Sequence, residues 1–245
     1  MLTNIVHCCD CMEFMAGCKD GEFDLAIVDP PYGINWDYER KGMSSGIRKD
    51  GTKRIYNKWS DPTPKNYKAG NYDSEPPSAD YFKELLRISN LQIIWGGHYF
   101  TDKLPVSGGW IVWDKGVVMP TLSKCELAWT NTMEHIEKFT YLWAGFRKAG
   151  EHGERNHVNQ KPVALYKWLL KNYAKPSWKI FDSHVGSGSS RIACYDMGFD
   201  YVGCELDADY WQAQEKRFND YIQQKEIFDK KEIQESIFND QGELF

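Results

Sequence analysis

No run of apolar residues in this chain of 245 residues approaches the roughly 18–20 needed to span a bilayer. Its opening, MLTNIVHCCDCMEF, lacks the basic-then-apolar order of a secretory signal. A membrane partner is therefore not expected, and a cytoplasmic location is. The seven cysteines are an odd number without paired spacing, so a disulfide framework is not expected either. His7, Cys8, Cys9 and Cys11 crowd together, but no second Cys or His pair with zinc-like spacing follows. They read as small buried thiols and an adjacent imidazole at a strand end, and no metal is expected. An internal repeat is absent. So is any excess of positive charge, the net charge being −5, which taken alone argues against a nucleic-acid partner.

The charge is unevenly spread. From Tyr38 to Lys68, nine Lys and Arg face three acidic residues, Glu39, Asp50 and Asp61, so the segment carries 9 − 3 = +6. Residues 36–72 thus form a basic insertion suited to phosphates on an otherwise acidic body, or a solvated loop with incidental charge. Elsewhere, strand-length apolar runs alternate with helical patterns. FDLAIVD ending at Asp29, LQIIWGG from Leu91, GWIVWDK from Gly109, WKIFD ending at Asp182 and DYVGCE ending at Glu205 read as buried strands. Helices are expected from Ser78 with a serine cap and from Pro162 with Leu165, Trp168, Leu169 and Tyr173 on one face. Two more are expected over Ser189 to Met197 and from Asp209 to beyond Tyr221. This alternation predicts an α/β fold with a mostly parallel sheet and helices on both faces. The chain is read as a single domain, 1–245, with 224–245 as a C-terminal extension.

In such sheets ligands bind beyond the carboxyl ends of the strands, and two strand ends stand out. At the first, Asp29-Pro30-Pro31-Tyr32, two prolines fix the backbone and remove two donors. The Asp29 carboxylate and the Pro30 carbonyl remain as acceptors, and Tyr32 adds a flat ring. Two acceptors and one aromatic face suit the exocyclic amino group of a planar base. At the second, a strand ending at Asp182 leads through Gly186 and Gly188 into a helix, and the next strand ends in Glu205, placed to accept from ribose hydroxyls. A dinucleotide-binding oxidoreductase would show a similar unit, but its third glycine is expected where Arg191 stands, and it does not explain Asp29 to Tyr32.

The whole order of segments resembles the S-adenosylmethionine-dependent amino-group DNA methyltransferases, in particular their circularly permuted β group, over nearly the entire chain. CCDCMEFMAGCKDGEFDLAIVDPPYGINW is similar to that family's opening, HVNQKPVALYKWLL to its Gln-Lys-Pro helix entry, FDSHVGSGSS to its Gly-Ser-Gly loop and DYVGCELD to its ribose-binding strand. Departures are Val158-Asn159 for Pro-Thr and Ser183-His184 for Pro-Phe. The resemblance implies a Rossmann-like methyltransferase fold, circularly permuted, that methylates an amino nitrogen in DNA, with S-adenosylmethionine as cofactor. It implies Asp29, Pro30, Pro31 and Tyr32 as the catalytic set. It places Asp182, Gly186, Ser187, Gly188 and Ser189 along the cofactor, Lys161 at its carboxylate, Glu205 on its ribose, and Asp10 with Cys11 near its adenine. Asp-Pro-Pro-Tyr is commoner in the adenine-N6 members, so adenine leads over cytosine-N4, and a bacterial or phage source follows. A non-catalytic DNA-binding relative would be expected to have lost Asp29 or the glycine loop.

The target base must leave the stack, at a cost of a few kcal/mol, and stacking on Tyr32 would offset part of it. Residues 36–72 and the stretch AGFRKAGEHGERN, 144–156, are the candidates for reading flanking bases. Oligomeric state is left open, a homodimer being one option. At the chain end, Gln241, Leu244 and Phe245 resemble the short extended peptide with which bacterial replication and repair proteins dock onto the sliding clamp, against the plainer reading of an ordinary chain end.

Overall fold

The central strands of the sheet are short apolar runs whose alternate side chains enter two different cores. In β2 (Phe23–Val28) Leu25 and Ile27 face one core while Ala26 and Val28 face the other. Burial on both faces is what the continuous apolar runs foretold. The computed structural model describes residues 3–34, 73–116, 123–144, 147–148 and 160–242. The basic insertion at 36–72, most of the 144–156 stretch and residues 243–245 lie outside them.

The remaining strands are β1 (Asn4–Cys8), β3 (Ser89–Trp95), β4 (Trp110–Asp114), β5 (Cys125–Thr130), β6 (Ile136–Thr140), β7 (Trp143–Ala144), β8 (Arg147–Lys148), β9 (Lys179–Asp182) and β10 (Asp200–Glu205). Eight of them form one sheet in the order β1-β10-β9-β2-β3-β5-β4-β6, and β7 pairs with β8 apart from it. The pairings from β1 through β10, β9 and β2 to β3 are all parallel, β5 runs antiparallel to both β3 and β4, and β6 is parallel to β4. The chain's last two strands therefore lie inside the sheet between its first two, a permuted arrangement in which β9 and β2 adjoin. Strand order reverses between them, and this is where such sheets leave a crevice at their carboxyl ends.

Helices α1 (Cys11–Ala16) and α2 (Ala79–Ile88) cover one face, with Met15, Phe82, Leu85 and Ile88 packed on Phe23, Ile94 and Phe181. Helices α3 (Val163–Tyr173) and α4 (Ser189–Met197) cover the other, with Leu165, Leu169, Ala193 and Cys194 on Leu25, Ile27 and Ile180. Ser78 caps α2 by accepting from Tyr81 N–H at 3.3 Å, as expected. Pro162 stands at the N-cap of α3 rather than inside it. The buried face of α3 includes Tyr166 and Leu170 and leaves Trp168 only partly covered, because the helix sits in the angle between the sheet and α4.

Helix α5 (Ala208–Gly242) runs unbroken to Gln241 and Gly242. One glycine costs a helix about 1 kcal/mol, and the backbone is helical through Gly242. Of the clamp-like residues, Gln241 thus has helical backbone, and Leu244 and Phe245 lie outside the described residues. No helix among the described residues is long and apolar enough to cross a membrane.

Phe181 is fully buried in β9, its ring 4.7 Å from that of Phe23 and 5.8 Å from that of Phe14. Phe181→Ala is expected to lower unfolding free energy by roughly 3–5 kcal/mol, measured by urea titration. A decrease under about 1 kcal/mol would contradict this account of the core.

Candidate active site

Past the paired residues Ala26 and Phe181, β2 ends in the Asp29 corner and β9 in the glycine turn. The corner is built by its own neighbours. Asp73, buried, accepts from the backbone N–H groups of Tyr32 (2.7 Å) and Gly33 (3.0 Å), which fixes the chain direction after the two prolines. The Tyr32 hydroxyl donates to Asp29 Oδ1 at 2.6 Å, and its ring stacks on Tyr99 at 5.1 Å between centroids. Tyr99 is exposed on the short 3-10 turn after β3, beside His98. Burial, then the charge of Asp29, raise the Tyr32 phenol well above its ordinary range, so it stays a donor.

Gly96 makes room for this ring. It has φ +71°, and a Cβ there would come within 2.2 Å of Tyr32 Cε1.

Behind Asp29 stands Lys161, whose ammonium hydrogen-bonds Asp29 Oδ2 and lies 3.2 Å from Glu126 Oε2, close enough for an ion pair though not aligned for a hydrogen bond. Glu126 Oε1 is in turn 2.5 Å from Lys115 Nζ. Burial pushes the Lys161 ammonium toward neutrality, but the carboxylates of Asp29 and Glu126 outweigh it and its pKa is raised. Burial likewise pulls Glu126 upward, and Lys161 with Lys115 bring it down to about 2.

The second corner is stiffened from below. Asp182, buried at the end of β9, accepts from Ser190 Oγ at 2.6 Å and His184 N–H at 3.0 Å. Burial pushes its carboxyl up to about 7 against those two bonds, and pushes the neighbouring His184 imidazole down to about 4. Gly186 and Gly188 have φ +51° and +76°, a turn open to glycine and strained for other residues. Gly188 is the N-cap of α4. Ser187 and Ser189 are buried with hydroxyls 3.2 Å apart, and Arg217 of α5 donates to the Ser187 carbonyl (2.7 Å) and Ser189 Oγ (3.0 Å).

Glu205 accepts from Gly186 N–H at 2.9 Å through Oε2 and from Asp207 N–H at 3.0 Å through Oε1. Each oxygen keeps a lone pair for a further donor, and burial raises its pKa. Asp10 caps α1 by accepting from Met12 N–H at 2.7 Å, with Cys11 beside it on the neighbouring edge of the sheet. The residues present would suit a nucleoside: its ribose hydroxyls could donate to the open lone pairs of Glu205, beside which Leu206 exposes an apolar side chain.

The structure thus brings together Asp29, Tyr32 and Lys161 at one strand end, and Asp182, Gly186, Ser187, Gly188, Ser189 and Glu205 around the adjacent turn. Lys161, expected beside the cofactor's carboxylate, has its ammonium on Asp29 and Glu126 instead. Asp73, Gly96, Tyr99, Lys115, Glu126 and Arg217 went unnoticed in the sequence. Gly96 alone carried a signal, as the first of two glycines closing a strand. Among the described residues no cluster of His, Cys, Asp and Glu could hold a metal. The His7 ring lies on Phe14 at 5.0 Å, and Cys8, Cys9 and Cys11 are free thiols.

The fold is shared with solved methyltransferases. The M1.HpyAVI–SAM complex superposes with a TM-score of 0.54 at 17% identity, covering 89% of this chain and 100% of that one. The cytosine-N4-specific PvuII DNA methyltransferase gives 0.54 at 10% identity, covering 87% and 85%. The fold is that of the Rossmann-like methyltransferases.

Residues 112–216 match the N6/N4 methyltransferase family model, described as DNA methylase. The Type II methyltransferase M1.MboII of Moraxella bovis is 19% identical over 261 aligned positions, spanning 84% of this chain and 93% of that protein. YubD of Escherichia coli (strain K12) is 34% identical over 65 residues, which is 26% of this chain and 29% of YubD, so less than a third of that relative is spanned. Residues 112–216 are thus similar to the N6/N4 DNA methylases.

Gly96→Ala is expected to push Tyr32 off Asp29 and lower the rate of methyl transfer at least about tenfold, a strained backbone adding roughly 1–3 kcal/mol to the displacement. Steady-state kinetics of the variant check this. Unchanged turnover would mean that the position of the Tyr32 ring is immaterial.

Proposed function

We propose that the protein transfers a methyl group from S-adenosylmethionine to the exocyclic amino nitrogen of adenine in DNA, at sites set by sequence. The observation that carries the reading is the Asp29 corner beside the glycine turn at the point where strand order reverses. Adenine rests on the Asp-Pro-Pro-Tyr tetrapeptide itself. Cytosine-N4 is the second reading, favoured by the likeness in fold to the PvuII enzyme. The catalytic set is Asp29, Pro30, Pro31 and Tyr32; Asp10, Cys11, Asp182, Gly186, Ser187, Gly188, Ser189 and Glu205 line the cofactor.

An amino group conjugated to an aromatic ring is a poor nucleophile because its lone pair is delocalised. Acceptors that draw its two hydrogens out of the ring plane return that pair to nitrogen, and Asp29 with the Pro30 carbonyl supplies two. The bound cofactor supplies a methyl group on a positively charged sulfur, which leaves as a neutral thioether. The amino nitrogen's pair forms the new bond to carbon, and the proton that nitrogen then sheds passes to Asp29, thence to water. Positioning and exclusion of water carry the rate in such a transfer. The base reaches this corner by leaving the duplex, and an aromatic contact worth about 1–3 kcal/mol with Tyr32 or Tyr99 offsets part of that cost.

Asp29→Ala is expected to lower methyl transfer to DNA by at least about a thousandfold, since acceptor placement at the reacting atom is realised in the transition state. Cofactor affinity, measured by calorimetry, should stay within about threefold. Turnover retained in this variant would sink the mechanism.

The basic insertion, outside the described residues, is proposed as the DNA grip. Replacing Lys49, Lys53 and Arg54 with glutamine should weaken DNA binding and reduce the slope of log affinity against log salt by roughly 0.9 for each phosphate no longer neutralised. An unchanged slope would leave those charges as mere solvation. A clamp contact through Gln241, Leu244 and Phe245 is a further proposal, resting on their spacing alone.

A further inference from the structure

Four charges from four segments are stacked behind the acceptor corner. Asp29 follows β2, Lys161 precedes α3, Glu126 lies in β5 and Lys115 follows β4. They alternate in sign, so the row is neutral as a whole. The Lys161 side chain is 4% exposed and that of Asp29 19%. The Lys161 ammonium also stands 3.4 Å from the Tyr32 hydroxyl, 5.9 Å from the Tyr32 ring centroid and 5.4 Å from that of Trp95. A lysine in so enclosed a place is costly unless it is paired, and Glu126 shares it with Asp29.

We propose that Lys161 is a positioning residue for methyl transfer, holding Asp29 as an oriented, ionised acceptor, with Glu126 as the anchor that keeps Lys161 in place. The inference rests on the reading of Asp29 as the acceptor of the target amino group. It differs from the expectation that Lys161 grips the cofactor's carboxylate.

The need for such a residue follows from the acceptor's task. A carboxylic acid in this corner would turn a hydroxyl toward the incoming amino group, donor against donor. Lys161 on Oδ2 and the Tyr32 hydroxyl on Oδ1 are both donors, so each oxygen is engaged as an acceptor. Geometry adds a second constraint: with Oδ1 on the Tyr32 hydroxyl and Oδ2 on Lys161, the carboxylate is held at both ends and cannot rotate. Each oxygen still has a lone pair for an amino hydrogen. Lys161 would drift if Asp29 were its sole partner, because any shift of the carboxylate toward the substrate would leave the ammonium unpaired. Glu126, fixed by Lys115, removes that freedom. Among the described residues, the charged or titratable groups around Asp29 are Tyr32 from its own segment, Lys161 from the segment before α3, Asp182 at the end of β9, the phenols of Tyr81 in α2 and Tyr166 in α3 and, one layer behind, Glu126 from β5 with Lys115 after β4.

The test uses the full chain and two variants, Lys161→Met, which keeps the length of the stem, and Glu126→Gln, which keeps the shape of the anchor. Methyl transfer to DNA is followed from about pH 5.5 to 9, together with cofactor affinity by calorimetry and the carbon-13 titration of the Asp29 carboxyl. Lys161→Met is expected to lower kcat at least about 50-fold at neutral pH, leave cofactor affinity within about threefold, and move the acid limb of kcat and the Asp29 titration upward by about one pH unit. Glu126→Gln, which loosens Lys161, should lower kcat by less, about 5–10-fold, and likewise leave cofactor affinity within about threefold.

Should Lys161→Met fail to fold, Glu126→Gln decides: a loss in kcat at unchanged cofactor affinity supports the proposal, and unchanged kcat overturns it. The proposal is overturned if the acid limb and the carboxyl titration stay where they are in the wild type. It is equally overturned if the effect falls on cofactor affinity, which would return Lys161 to the cofactor. The carboxyl titration does not depend on turnover, so failure of the proposal is distinct from failure of the functional reading, which would show as a wild-type protein that methylates no DNA.

Discussion

The site depends on β2 and β9 lying side by side. One strand comes from the start of the chain and the other from near its end, and their parallel pairing puts Asp29 and the Asp182 turn at the same edge of the sheet. Strand order reverses between them, so the helices that follow depart in opposite directions and leave the edge open. The permuted chain order is therefore no obstacle to the site. What the chemistry needs is adjacency of two strand ends, and either order of the segments provides it.

Electrostatics then divides the labour between the two corners. Asp29 is kept among charges, with Lys161 at one oxygen and a phenol donor at the other. Asp182 bonds no cation among the described residues: its hydrogen-bond partners are the Ser190 and Tyr201 hydroxyls and the His184 N–H, and burial lifts its carboxyl to about 7. Two aspartates at neighbouring strand ends thus have different partners, one paired with a lysine and the other bracing a loop. Tyr32 links structure to chemistry more tightly than its ring alone suggested. It bonds Asp29, rests on Gly96 and Tyr99, and is pinned through its backbone by Asp73.

What could be read in the sequence was local. The continuous apolar run Leu25 to Val28, the Ser78 cap and the strand-glycine-helix unit at Asp182 to Met197 each announce themselves within a short stretch of chain, and all appear in the structure. The Asp29 corner was legible as a stiff strand end because two prolines follow a buried strand. The residues that support it were not. Glu126 is one glutamate in a strand, Lys115 one lysine at a strand end, and Asp73 lies forty residues from the backbone it holds. Nothing nearby distinguishes them from solvated charges, and only the pairing of β5 with β3 and β4 brings Glu126 behind Asp29. Lys161 was noticed but given a different neighbour, since the sequence shows that a lysine precedes a helix and not which carboxylate its four-carbon stem will reach. The buried face of α3 was misjudged for a similar reason: packing on α4 as well as on the sheet widens it beyond one stripe.

The central claim is that the acceptor corner methylates an amino nitrogen. It is tested most directly by incubating double-stranded DNA with the purified protein and methyl-labelled S-adenosylmethionine, digesting to nucleosides and identifying the labelled product by mass spectrometry. The account predicts label on the N6 nitrogen of deoxyadenosine, at a reproducible sequence. Label on the N4 nitrogen of deoxycytidine would keep the mechanism and change the base. Label on a ring carbon, or none in DNA from a protein that binds the cofactor, would contradict it.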